Sequence, residues 1–232
     1  MNATYERWQQ AQHAEGEFWW GLARSDDGIR RILEDNRQVA AQVEAWLPVQ
    51  SQSALEIGVG GLGVGTLGFL KKIPTRVGID PLPLSELSCS ETLRVVVGEL
   101  RAPIQFRLSQ GERTPFPDAS FDLVLCCNVL DHVHDPAIVL NEVCRVLQPA
   151  GYFYLFVDVF SLAGLVKWKA WTQRKRKYEI LVRAHPHRFR ENKLHDLLQH
   201  AGVHIVREHS RSIWENLFAR SMRLAILAQK EG

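Results

Sequence analysis

The stretch Ala54-Leu-Glu-Ile-Gly-Val-Gly-Gly-Leu-Gly-Val-Gly65 constrains this chain more than any other. An apolar run carrying one acid, Glu56, opens into a turn with six glycines between positions 58 and 68. Glycine lets the main chain take left-handed conformations and pass close to a ligand. A second apolar run, Arg76–Asp80, ends in a carboxylate twenty residues beyond Gly60, where a strand-end acid can grip ribose hydroxyls. A nucleoside-containing cofactor is therefore the first expectation. Taken alone, Gly58-x-Gly60-x-x-Gly63 also fits the fingerprint of nicotinamide and flavin enzymes. Glu56, two residues before the first glycine, is an odd charge for that fingerprint, and no second dinucleotide-binding half follows downstream.

Around this motif the hydrophobic pattern alternates between the two common periods. Strands are predicted at Ala54–Ile57, Arg76–Asp80, Ile104–Leu108, Asp122–Cys127, Tyr152–Val157, His204–Val206 and Leu224–Ala228. Helices are predicted at Thr66–Lys72, within Leu84–Leu100, at Asp135–Leu147 with Asp135 as N-cap and Pro136 at N1, and at Leu194–Ala201 closed by Gly202. Residues 1–50 read as helical and amphipathic, with Tyr5, Trp8, Ala11, Phe18 and Trp19 leading into Ile29, Leu33, Val39 and Val43. The fold class expected is α/β, a doubly wound, mostly parallel seven-stranded sheet with ligand at its carboxyl edge. The expected organisation is a helical lid over residues 1–50, a main domain over 51–157 and 186–232, and an insertion over 158–185 that caps it.

An apolar content of 46% with 23% charged residues is that of an ordinary globular chain. The charge is uneven: residues 167–190 hold nine Lys/Arg against one acid, Glu179, so the remainder is net acidic. Leu165, Val166, Trp168 and Trp171 precede Arg174-Lys-Arg-Lys177, a composition that suits either an anionic membrane surface through 165–177 or a cap whose cations meet an acidic acceptor. One short basic patch in a chain of net charge +2 is a poor nucleic-acid footprint, and no nucleic-acid partner is expected. Cys89, Cys126, Cys127 and Cys144 form no C-x-x-C pair and are expected as reduced, buried thiols. Without a signal-peptide or membrane-spanning pattern, the expected location is the cytoplasm, with the basic run as a candidate peripheral membrane contact.

Further motifs follow in order: Gln110-Gly-Glu-Arg-Thr-Pro-Phe-Pro-Asp-Ala-Ser-Phe-Asp122, then Asn128-Val-Leu-Asp-His-Val-His-Asp-Pro136, then Asn141-Glu-Val-Cys-Arg-Val-Leu-Gln-Pro-Ala-Gly151. From about Ala54 to Val157 this order resembles the class I S-adenosylmethionine-dependent methyltransferases, in particular small-molecule enzymes with a PFPD-x-SFD segment. The resemblance implies a Rossmann-like methyltransferase fold, S-adenosyl-L-methionine as cofactor and S-adenosyl-L-homocysteine as product. It assigns Glu56, Gly58, Gly60 and Gly61 to the loop beside the methionine part and ribose, Asp80 to the ribose diol and Pro81 to the adenine flank. Gln110 and Gly111 fall where the adenine amino group is bonded, with Gln in place of the family's usual Asp. Asn128 and Val129 fall where the methionine moiety is lined. The usual third glycine of the loop falls at Leu62, between Gly61 and Gly63.

Methyl transfer to oxygen is helped by a base near neutral pH, which directs attention to histidine. His132 follows the fourth strand; His185 and His187 follow the insertion; His134 is a fourth candidate. His132 and His187 are taken as the catalytic candidates. Asp131-His132 also resembles an acid-His pair that binds a divalent metal in some quinone-type O-methyltransferases. The upstream acid expected there is replaced by Cys127-Asn128, so no metal site is expected. The activity expected is methyl transfer to an O or N atom of a small molecule or glycan-type acceptor. Two other classes stay open: an NAD(P)-dependent oxidoreductase, and a non-catalytic S-adenosylmethionine-binding module attached to a membrane or partner protein.

Overall fold

A computed structural model describes residues 3–161, 164–166, 185–209 and 222–232. The chain begins with two helices, α1 (Ala3–Leu22) and α2 (Asp26–Trp46). They are separate because Ser25 caps α2, its side chain accepting the Gly28 N–H at 3.1 Å. Then follow β1 (Ser53–Ile57), β2 (Thr75–Asp80), α3 (Glu91–Arg101), β3 (Ile104–Leu108), β4 (Phe121–Cys127), α4 (Pro136–Val146) and β5 (Leu147–Val159). The chain closes with α5 (Glu191–His200), β6 (Val203–His209) and β7 (Met222–Lys230). The seven strands form one sheet in the order β3-β2-β1-β4-β5-β7-β6. All pairs are parallel except those made by β7, which runs antiparallel to both β5 and β6.

Strand alternation assigns the two faces. In β4, Val124 and Cys126 join the core under α4 and α5, whereas Leu123 and Leu125 join the core under α2 and residues 67–73. Both faces are covered, which is why these strands read as unbroken apolar runs. The helices bury single stripes: Ile29, Leu33 and Val43 of α2, Val139, Val143 and Val146 of α4, Leu194 and Leu198 of α5. As expected, Asp135 caps α4, accepting the Ala137 N–H at 2.9 Å, with Pro136 in the first turn.

One helix expectation fails. Thr66–Lys72 is a run of turns, with Gly68 N–H donating to Val64 O and Leu70 N–H to Leu67 O, and no helix forms. Gly60, Gly63 and Gly65 take positive φ just before it, and the first free N–H groups are drawn to a side chain of β1. Most of the expected insertion, including nearly all of the 165–177 basic run, lies outside the described residues. No helix among the described residues is long and apolar enough to cross a membrane. The cysteines are all free; Cys126 is buried, while Cys89, Cys127 and Cys144 are only half-buried.

Candidate active site

The parallel order β2-β1-β4 brings the carboxyl ends of three strands side by side, and a cavity of about 470 Å³ opens over them. This volume lies within the range of small-ligand sites. Glu56, Gly58, Gly60, Asp80, Pro81, Asn128, Val129 and His132 line it. A smaller adjoining space of about 40 Å³ is lined by Gln110 and Gly111, with Pro81, Val129 and His132 shared between the two. Gly61 does not line either space; its carbonyl accepts the Ser85 N–H at 2.8 Å. His187 is also outside both.

Each strand end has a distinct reason for its residue. Gly58 takes φ +80, and a Cβ there would overlap the Val129 side chain, so the loops that leave β1 and β4 fit together here only because position 58 is bare. Asn128 takes φ 55, a left-handed conformation that Asn tolerates better than most residues, and its N–H donates to Phe156 O at 2.7 Å. Asp80 is 6% exposed; its Oδ2 accepts the Gly60 N–H at 2.8 Å and its Oδ1 accepts the Leu82 N–H at 2.9 Å. Burial raises its carboxyl above the ordinary Asp value, partly offset by those two hydrogen bonds.

Glu56 borders the cavity and also holds the glycine loop. Its two oxygens accept the Thr66 and Leu67 N–H groups, both at 2.9 Å, from the far side of the glycine loop. The carboxylate therefore shapes the loop, although its side chain also borders the cavity. Burial pushes its carboxyl up to about 7 against the pull of those bonds.

The PFPD-x-SFD segment lies away from the cavity and ties elements together. Asp118 pairs with Arg145 of α4, and Glu142 accepts both the N–H and hydroxyl of Thr114 at 2.7 Å. Hydrogen bonding to Arg145 holds the Glu142 carboxyl down at about 2. Asp122 Oδ2 accepts the Gln52 and Ser53 N–H groups at 2.7 and 2.9 Å, pinning β4 to the start of β1.

The histidines divide. His132 and His185 border the cavity with ring centroids 4.3 Å apart, each nearest a different oxygen of the Asp131 carboxylate. His187 does not: its Nε2 is 2.8 Å from Val133 O, its N–H donates to Asp131 O, and its ring stacks on Phe189. It fastens residues 185–189 to the loop after β4. His134 packs edge-on against Tyr5 and Trp8 of α1.

Helix α1, part of the expected lid that carries Trp19, adds two residues that the sequence reading did not single out, Gln12 and Glu15. Gln12, Glu15 and Trp19 all face the cavity. They stand at i, i+3 and i+7, one helical face, but two are polar and sit among aromatics that drew the eye as an apolar stripe. Glu15 Oε1 lies 3.2 Å from His132 Nδ1. Burial works to raise the Glu15 carboxyl, but the hydrogen bond and charge of His132 outweigh it and hold it below the ordinary value. Trp19 lies over the glycine loop, where side chains on Gly60 or Gly61 would overlap its ring and Cβ.

A methyltransferase-domain family profile matches residues 55–155. A ubiquinone biosynthesis O-methyltransferase of Paracidovorax citrulli is 30% identical over 140 residues, 59% of this chain and 55% of that protein. The chain spans about half the length of the curated relatives it matches, for example 55% and 54%. Among solved structures, a chain from the Haloferax volcanii complex of the Trm112 methyltransferase activator with a methyltransferase superposes with TM-score 0.66 at 19% identity. That match covers 92% of this chain and 98% of the other. The Burkholderia thailandensis 1,6-didemethyltoxoflavin-N1-methyltransferase superposes with TM-score 0.63 at 17% identity, covering 100% of this chain and 92% of that one. These similarities, the strand order and a glycine loop facing a strand-end acid show a methyltransferase domain over residues 55–155 on the Rossmann-like fold of the S-adenosylmethionine-dependent methyltransferases.

Proposed function

We propose that this chain transfers a methyl group from S-adenosyl-L-methionine to an O or N atom of a small molecule or glycan-type acceptor, releasing S-adenosyl-L-homocysteine. The observation that carries the reading is one cavity shared by the glycine loop, Asp80, Asn128-Val129 and the His132–His185 pair. In this reading Asp80 takes the ribose hydroxyls on oxygens that already hold the loop through Gly60 and Leu82. Gln110 and Gly111 border the adenine; a Cβ at Gly111 would press on Ile57. Gly58, Asn128 and Val129 flank the methionine part.

The sulfonium is a good leaving group, so the protein's main work is alignment of donor and acceptor, an effect of ~7–11 kcal/mol in well-oriented systems. Acceptor activation belongs to His132 and His185, which border the cavity with the buried Asp131 carboxylate beside both rings. His187, engaged with Val133 O, is a positioning residue in this scheme. The reading of an O or N acceptor is supported by relatives named for O-methyl transfer.

The test is incubation with methyl-labelled S-adenosylmethionine and a fractionated extract of the source cell, followed by mass identification of the product. A labelled small molecule is expected. Binding of S-adenosylhomocysteine with no turnover on any fraction would instead indicate a non-catalytic binding module. Binding of NAD(H) with none of S-adenosylhomocysteine would overturn the reading.

A further inference from the structure

Glu15 lies on α1, outside residues 55–155, so the methyltransferase-domain profile gives it no part. Three acids border the main cavity: Glu15, Glu56 and Asp80. Both oxygens of Glu56 accept main-chain N–H groups, from Thr66 and Leu67, and both oxygens of Asp80 do the same, from Gly60 and Leu82. Glu15 differs. Among the described residues its polar contact is Oε1 to His132 Nδ1 at 3.2 Å, and the carboxylate otherwise borders the cavity. Burial works against its charge, but the hydrogen bond and charge of His132 outweigh burial and keep it ionised. A carboxylate drawn out of water is costly unless cations or hydrogen-bond donors meet it, and the open side of Glu15 can take such a partner from a ligand.

The strand ends say where that partner would sit. Asp80, at the end of β2, has its carboxyl raised first by burial and then also by the charge of Glu15. On the other side His132, which Glu15 touches, donates its N–H to Val129 O at 2.8 Å just after β4. Glu15 therefore stands between the ribose end and the methionine end of the cavity. In S-adenosylmethionine the sulfur is the atom that joins those two parts. Phe18 and Trp19, on the same helix, line the same space, and aromatic rings also attract organic cations. Beyond His132, the Asp131 carboxylate stands beside both imidazoles and acts on Arg188, so positive charge on that side has its own counterion.

We propose that Glu15 is the counterion of the sulfonium, a specificity residue by which the site tells the charged methyl donor from the neutral product. The proposal rests on the methyl-transfer reading. As the methyl group moves to the acceptor, the S–CH₃ bonding pair stays on sulfur and the sulfur becomes neutral. Glu15 then loses its cationic partner, while the contacts to ribose and methionine remain. Loss of that one contact loosens the product and favours its exchange for a new donor.

The experiment titrates the full chain by calorimetry with three ligands. These are S-adenosylmethionine, S-adenosylhomocysteine and sinefungin, an analogue with an ammonium-bearing carbon in place of the sulfonium. The variants are Glu15→Gln, whose amide oxygen can still face His132 Nδ1, and Asp80→Asn. Glu15→Gln should lower the ratio of S-adenosylmethionine to S-adenosylhomocysteine affinity by about tenfold and change the S-adenosylhomocysteine affinity by less than about twofold. Sinefungin should weaken in step with S-adenosylmethionine. Asp80→Asn should weaken all three alike and leave the ratio unchanged. An unchanged ratio in Glu15→Gln overturns the proposal. So does an equal loss for all three ligands, which would make Glu15 a structural support of His132. A ratio altered as much by Asp80→Asn overturns it too, since the discrimination would then belong to the general field of the cavity. A parent that binds none of the three strikes the methyl-transfer reading itself, whereas S-adenosylhomocysteine bound with the wrong ratio strikes the role of Glu15 alone.

Discussion

Glu56 and Asp80 look equivalent as strand-end acids beside glycines, and the structure separates them. Asp80 faces the cavity with oxygens already ordered by Gly60 and Leu82, so a ribose would add to a preformed acceptor. Asp80→Ala should weaken S-adenosylhomocysteine binding by about 1–3 kcal/mol, measured by calorimetry; unchanged affinity would remove Asp80 from the site. Glu56 is set by burial instead. Burial holds its carboxyl up at about 7 in the folded chain, against an ordinary Glu value of 4.5. Between those values the native state holds a proton that the unfolded chain has released. Stability should therefore fall as pH rises from about 5 to 7.5, by up to roughly 3 kcal/mol. Denaturant unfolding across that range should show the slope in the parent and not in Glu56→Gln; parallel slopes would place the proton elsewhere. The strand-end positions of both acids were legible because glycine spacing and strand ends fix them. Their division of labour was not, since it depends on where the N–H groups of Thr66 and Leu67 turn.

The same competition decides an element. Thr66–Lys72 has an apolar content compatible with a helix, but Gly63, Gly65 and the Glu56 carboxylate hold its first turn in another shape. Helices whose caps are written locally, such as α4 with Asp135 and Pro136, were legible within a residue or two. The break between α1 and α2 was missed because Ser25-Asp-Asp sits inside one continuous amphipathic pattern, though Ser25 is an apt cap. At the opposite end of the strands from the cavity, Asp122 Oδ2 receives two N–H groups that precede or begin β1. Asp122→Ala leaves both without that charged partner. The expected cost is about 1–3 kcal/mol of stability in denaturant unfolding, with S-adenosylhomocysteine affinity unchanged. A loss of affinity comparable to that of Asp80→Ala would show that strand register at one end is transmitted to the other. The pair of variants thus separates holding the sheet from holding the ligand.

At the scale of the whole molecule, the cavity is assembled from pieces far apart in sequence: Glu15 and Trp19 of α1, the loop after β1, the ends of β2 and β4, and His185 after the undescribed segment. The sheet order was legible as a class, because buried parallel strands are continuous apolar runs, and the glycine–acid spacing marked its active edge. The polar contribution of α1 was not, because Gln12 and Glu15 acquire meaning only once His132 stands opposite them. A ligand that touches all these pieces binds the folded chain and has nothing equivalent to bind in the unfolded one. By mass action, S-adenosylhomocysteine at 100 times its Kd should add about 2.7 kcal/mol to stability. For a chain of 232 residues that corresponds to a rise in Tm of about 5–11 °C. The same concentration of NADH should give none. The shift should grow with the logarithm of ligand concentration and shrink in Asp80→Ala at fixed concentration. A parent Tm indifferent to S-adenosylhomocysteine, or one raised equally by NADH, would mean that the cavity is not selective for the methyl donor.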